Sequence, residues 1–200
     1  STARLRWAPK VCPSQPEAPI SGRIRHSEMK AAKEIVLVAV FTAWLIGGQL
    51  ALSAIAGVEV VTVLMLTFAY AFGCRRAAAA AVCFSLLRCL IFGFFPTVVL
   101  LYLIYYPLFG LTVGALGHLF RRRVTPLTVA ALVAAAAVMT AVFTLLDDVI
   151  TPLVYGFSPE TWAAYAVASV PTMIAQIVCA AATTAALFAP LMKVFSGFRI

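Results

Sequence analysis

From Ile35 the chain runs for more than twenty residues without a charged side chain, until Glu59. At 1.5 Å per residue, a helix over that run crosses the roughly 30 Å hydrocarbon layer of a bilayer. The pattern predicts a first membrane span over residues 34–56, entered through a helix that Ser27 caps at the membrane surface. Five further apolar runs cover 58–72, 77–95, 97–120, 126–146 and 172–192. Gly73-Cys74-Arg75-Arg76 reads as a tight turn, Pro96 as a break, and Arg121-Arg122-Arg123 as the end of the fourth span. Asp147-Asp148 is expected to stop the fifth span and open the longest external connection, 147–158. Ser158-Pro159-Glu160 has the form of an N-cap, an N1 proline and an acidic first turn, so a short interfacial helix is expected there, with Trp162 and Tyr165 at headgroup level. Pro171 is expected to separate that helix from the sixth span.

The pattern therefore predicts an all-α integral membrane protein: a six-helix transmembrane bundle over 27–200, preceded by a basic tail over 1–26. The second run is short and lies beside Gly57, which suggests an outward opening where backbone lines a cavity. Pro107 is expected to kink the fourth span. Gly110, Gly114 and Gly117, at one-turn spacing, predict a face of close helix packing.

Composition removes other classes. The 200 residues are 64% hydrophobic and 11% charged, against about 25% charged in soluble domains, and the mean hydropathy is +1.03. A soluble fold is excluded, and no length remains for a separate catalytic domain. The net charge of +8 reads as topology rather than as nucleic-acid binding. With both termini cytoplasmic, the tail, Arg75-Arg76, Arg121-Arg122-Arg123, Lys193 and Arg199 all fall inside, as the positive-inside rule requires, within reach of anionic lipid. Pro9, Pro13, Pro16 and Pro19 make the tail a poor candidate for order, and it does not read as a signal peptide. The expected location is the plasma membrane, multi-pass.

Candidate chemistry is sparse. The five cysteines contain no CxxC pair and the two histidines, His26 and His118, lie far apart, so no metal or disulfide framework is indicated. No HExxH, GxSxG, P-loop or GxGxxG pattern is present, so neither an enzyme nor a cofactor is expected. Of the acids, Glu17, Glu28 and Glu34 fall inside or at the inner border, and Glu59, Asp147, Asp148 and Glu160 in predicted outer segments. Arg88, within the third span, is the one basic residue positioned to meet them. An arginine there costs about 2.5–3.5 kcal/mol and normally faces a partner, a cavity or the bundle interior. It is expected either to pair with Glu59, Asp147 or Asp148 or to contact a ligand. Gln49 and Gln176 sit at a similar depth and should point inward. Gln49, Glu59, Arg88, Asp147, Asp148 and Gln176 thus make up the candidate binding site. Its ligand is expected to be polar or zwitterionic, with Tyr102, Tyr105 and Tyr106 as walls or as an interfacial belt.

Ala39-xxx-Ala43 in the first span, the run Ala56-Gly57-Val58-Glu59-Val60-Val61-Thr62, and the stretches Leu145-Leu146-Asp147-Asp148 and Ser169-Val170-Pro171 together resemble the S components of energy-coupling-factor (ECF) vitamin transporters, over residues 30–195. The resemblance implies a subunit that captures a vitamin-like small molecule from outside and docks on a transmembrane coupling subunit driven by two cytoplasmic ATPases. It implies that Ala39 and Ala43 form the docking surface. The N-terminal histidine motif of the metal-importing branch is missing, so nickel or cobalt is not expected. The alternative is a membrane scaffold or assembly subunit without a small-molecule ligand, in which Arg88 is structural.

Overall fold

The computed structural model describes residues 20–52 and 60–197. All regular structure among them is helical: α1 (Ile20–Leu52), α2 (Val61–Phe72), α3 (Cys74–Phe92), α4 (Pro96–Leu119), α5 (Pro126–Tyr155) and α6 (Pro159–Ser196). Contacts divide the chain into two units, residues 1–34 and residues 35–200. In the first, the described residues form the opening turns of α1, which starts at Ile20, about two turns ahead of the expected Ser27 cap. The tail residues 1–19, and 53–59 with Glu59, lie outside the described residues.

Four segments are long and apolar enough to cross a membrane: Ala31–Leu52, Pro96–Leu119, Pro126–Tyr155 and Pro159–Ser196. The outer surface agrees with them, since Leu90, Leu119, Leu127, Val138, Val167 and Val178 are exposed. A surface so covered in large apolar side chains suits hydrocarbon and not water. The protein is an all-α membrane bundle.

The core is built around α2, the shortest helix. Its 12 residues extend about 18 Å, too short to cross a bilayer alone. Every one of them except Leu64 is buried. Helix α2 packs on α3, α4, α5 and α6, and from α1 the Phe41 ring stacks on Phe68 with centroids 3.8 Å apart. Phe195 of α6 closes the same aromatic group against Phe41, Phe68 and Phe72.

The expected glycine face of α4 is where α2 and α3 approach. A Cβ on Gly114 would stand 2.6 Å from the Cys74 backbone nitrogen, and one on Gly117 2.8 Å from the Tyr70 carbonyl oxygen. Between α2 and α3 the chain turns at Gly73, whose φ of 91° suits glycine because it has no Cβ to clash. The Arg121–Arg123 turn does more than mark an orientation. Arg122 Nη1 donates to the Ala71 carbonyl at 2.8 Å and Tyr70 Oη donates to the Arg123 carbonyl at 2.8 Å. A cation and a hydroxyl thus fasten the α4–α5 turn to the C-terminal end of α2, where free carbonyls need donors. Arg121 and Arg122 both adopt positive φ, 51° and 53°, a costly backbone for non-glycine residues that this fastening holds in place.

Two expected boundaries are overturned. Asp147 and Asp148 do not stop the fifth helix, and no long connection follows. Helix α5 continues to Tyr155 and ends on Gly156 in the left-handed conformation, φ 66°, leaving only 156–158 before α6. There α6 turns donors toward the carboxylates, the Tyr165 hydroxyl to Asp147 and the Ser169 hydroxyl to Asp148. Nor does Pro171 separate two helices: it lies inside the continuous α6. An internal proline removes one helix hydrogen bond, which membrane bundles tolerate when neighbouring segments support the backbone. At 38 residues, α6 is about 57 Å long, longer than the roughly 30 Å hydrocarbon layer. The Ser158 cap stands as read, its side chain accepting from the Thr161 amide at 3.3 Å.

The basic turns at Gly73–Arg76 and Arg121–Arg123 meet at one end, and Asp147, Asp148 and Glu160 lie toward the other. Charge sorting puts the acidic end outside. A cysteine at exposed Glu160, which leaves the Ser158 cap intact, is therefore expected to react with an impermeant maleimide on whole cells in a background without native cysteines. Reaction only after permeabilisation would reverse the orientation.

Candidate functional site

At the acidic end, α5 and α6 part to leave a cleft of about 270 Å³ lined by Phe143, Thr144, Asp147, Tyr165, Ala168, Ser169, Thr172 and Gln176. Spacing on each helix explains the grouping. On α5, Thr140, Thr144 and Asp148 follow one another at one-turn intervals on a buried face. On α6, Tyr165, Ser169, Thr172 and Gln176 follow at steps of four, three and four. Such steps place side chains on one face of a helix, so each helix turns a polar stripe toward the other.

The hydrogen bonds are specific. Asp147 accepts from Thr151 at Oδ1, 2.8 Å, and from the Tyr165 hydroxyl at Oδ2, 2.8 Å. Ser169 Oγ lies 2.8 Å from Asp148 Oδ2 and 2.9 Å from the Ala166 carbonyl, and its single proton serves one of them at a time. Asp148 is only 8% exposed, and its Oδ1 has no hydrogen-bond partner among the described residues. Deeper in, Thr144 Oγ1 lies 3.3 Å from Gln176 Oε1. One turn below, the buried Thr140 hydroxyl has no partner among the described residues.

Of the expected site residues, Asp147 and Gln176 line this cleft, with Asp148 immediately behind Ser169. Arg88 is not part of its lining. Its guanidinium carbon stands 4.0 Å from the Tyr102 ring centroid and 5.3 Å from that of Phe92. A cation over aromatic faces gains about 0.5–2 kcal/mol, which eases the cost of an arginine in a span. Among the described residues its buried Nε has no hydrogen-bond partner, and it forms no ion pair with Asp147 or Asp148. Tyr102 in turn meets Phe143 at 5.7 Å, edge to face, so two rings separate the arginine from the cleft. Gln49 is also outside the cleft, half-buried on α1, with an Oε1 that has no partner among the described residues. Glu59 lies outside the described residues.

The three tyrosines of α4 are core residues, and none of them lines the cleft. Tyr102, Tyr105 and Tyr106 are buried and group around Phe143, with Tyr105 at 4.9 Å. On α1, Phe41, Thr42, Leu45 and Ile46 are buried while Ala39, Ala43 and Gly47 are exposed in a row at one-turn spacing. No group of three metal-ligating side chains occurs among the described residues.

Comparison of the chain with protein-family models, curated proteins and solved structures finds no match. The reading of function therefore rests on the residues themselves.

Proposed function

We propose that this protein is the substrate-capture subunit of an ATP-driven importer of the ECF type, taking a vitamin or related small micronutrient at the outer face of the plasma membrane. The observation that carries the proposal is the α5–α6 cleft. Two stretches that resemble the S components, Leu145–Asp148 and Ser169–Pro171, are far apart in sequence, yet the Ser169–Asp148 hydrogen bond joins them beside it. A concave site with a few converging polar groups and an aromatic wall is what small-molecule recognition needs. On α1, the exposed row of Ala39, Ala43 and Gly47 suits close approach by a helix of a coupling subunit, which two cytoplasmic ATPases would drive.

The scaffold reading draws on Arg88, whose place over Tyr102 and Phe92 is explained without a ligand. Thermal unfolding of the purified protein across a panel of vitamins separates the two. The capture reading expects one compound, at micromolar concentration, to raise the midpoint by several degrees, since a ligand at a hundred times its Kd stabilises by about 2.7 kcal/mol. A flat response to the whole panel favours the scaffold.

A further inference from the structure

The charges around the cleft do not balance. Asp147 forms part of its wall and Asp148 stands behind Ser169, while no lysine, arginine or histidine lines it. Arg88, the cation expected at this depth, is turned onto Tyr102 and Phe92. A buried carboxylate without a countercharge is costly, and the cost is relieved when a cation enters. The hydroxyls near these acids already give their protons away: Tyr165 and Thr151 to Asp147, Ser169 to Asp148 or Ala166. What they have left to offer a ligand is lone pairs. Asp148 Oδ1, buried and without a partner among the described residues, is a further acceptor.

Deeper in the cleft the character changes. Thr144 contacts Gln176 at its carbonyl oxygen, which leaves the amide NH₂ as the donor at that level. Thr144 is three residues from Asp147, so the two levels are about 4.5 Å apart along the helix. Phe143 and Ala168 supply the apolar wall between them.

We infer that the cleft takes a protonated amine, held by Asp147 with the Ser169–Asp148 pair behind it, while an acceptor group on the same small ligand meets the Gln176 amide. Of the polar or zwitterionic ligand expected from sequence this keeps the polar alternative, because the arginine that would receive a negative end is not in the cleft lining. The inference deepens the capture reading and rests on it for the existence of a small-molecule ligand.

The test uses the full chain in lipid nanodiscs and three probes of matched size: benzylamine, benzyl alcohol and benzoate. Calorimetric titration is expected to show benzylamine binding at least tenfold more tightly than benzyl alcohol, with benzoate weakest. Asp147→Asn should weaken benzylamine at least tenfold and cut its lead over benzyl alcohol to less than about threefold in protein that still folds. An aspartate that served structure alone would lower the melting temperature and leave the probe preference untouched. If Asp147→Asn does not fold, Asp148→Asn carries the same comparison. Equal binding of the three probes, preference for benzoate, or an unaltered preference in the variant overturns the inference. Loss of the amine preference in a chain that still assembles with its coupling subunit overturns only the ligand class. An intact preference in a chain that assembles with no ATPase overturns only the importer reading.

Discussion

Gly114→Leu is expected to yield no folded protein, and Gly114→Ala to lower the melting temperature in detergent more than any other single added methyl on the α4 face. The first atom added at Gly114 meets backbone, 2.6 Å from the Cys74 nitrogen and 2.7 Å from its Cα, which no rotamer change can relieve. Helix α3 must move, and α3 packs on both α4 and α2. Overpacking typically costs 1–3 kcal/mol and more where backbone must shift. The same scan provides its own controls. Gly110→Ala, whose Cβ would meet Ala77 at 3.2 Å, should cost less, and Gly47→Ala, with nothing within 4 Å, should gain up to about 1 kcal/mol of helix propensity. Fluorescence-detected size exclusion with thermal ramping checks the order. Gly114→Ala melting with the wild type would show that α3 and α4 do not depend on this contact.

The second large effect is on assembly. Ala39→Leu with Ala43→Leu is expected to cut recovery of a coupling subunit at least tenfold while leaving the melting temperature and ligand response unchanged. Both alanines are exposed on α1, whereas Phe41, Thr42, Leu45 and Ile46 on its other side are buried. Leucine at 39 and 43 therefore adds bulk where this chain has nothing to clash with. A partner helix that needs close approach would be held off, because association of membrane helices relies on small residues and tight van der Waals contact. Co-purification from membranes checks it, and undiminished recovery would remove these residues from the docking surface.

The helical fold is legible because long apolar runs read as membrane spans, and in lipid only helices and closed barrels satisfy the backbone polar groups. The glycine face of α4 was legible for a related reason: glycine at one-turn spacing in an apolar run has few uses besides close packing. Sequence reasoning failed at Asp147, Asp148 and Pro171, each taken as a boundary. The rule that charges and prolines end spans is local, and at these positions it yields to partners on another helix: Tyr165 and Ser169 donate to the two aspartates. Reading Pro171 as a break also hid the α6 stripe, since Tyr165 and Ser169 fell before it and Thr172 and Gln176 after. The four-three-four spacing was available and would have revealed one polar face. An arginine in an apolar run is costly on sequence grounds alone, but Arg88 lies over Tyr102 and Phe92, and no sequence rule ranks Tyr102 above an acid as its partner.

The central claim is that this bundle holds a small molecule at its acidic end. Native mass spectrometry of the wild-type protein, purified from cells grown in rich medium and released gently from detergent, tests it directly. The account predicts a non-lipid adduct of small-molecule mass that is lost in Asp147→Asn. Wild-type protein that emerges carrying lipid alone, and equally so in the variant, would contradict it.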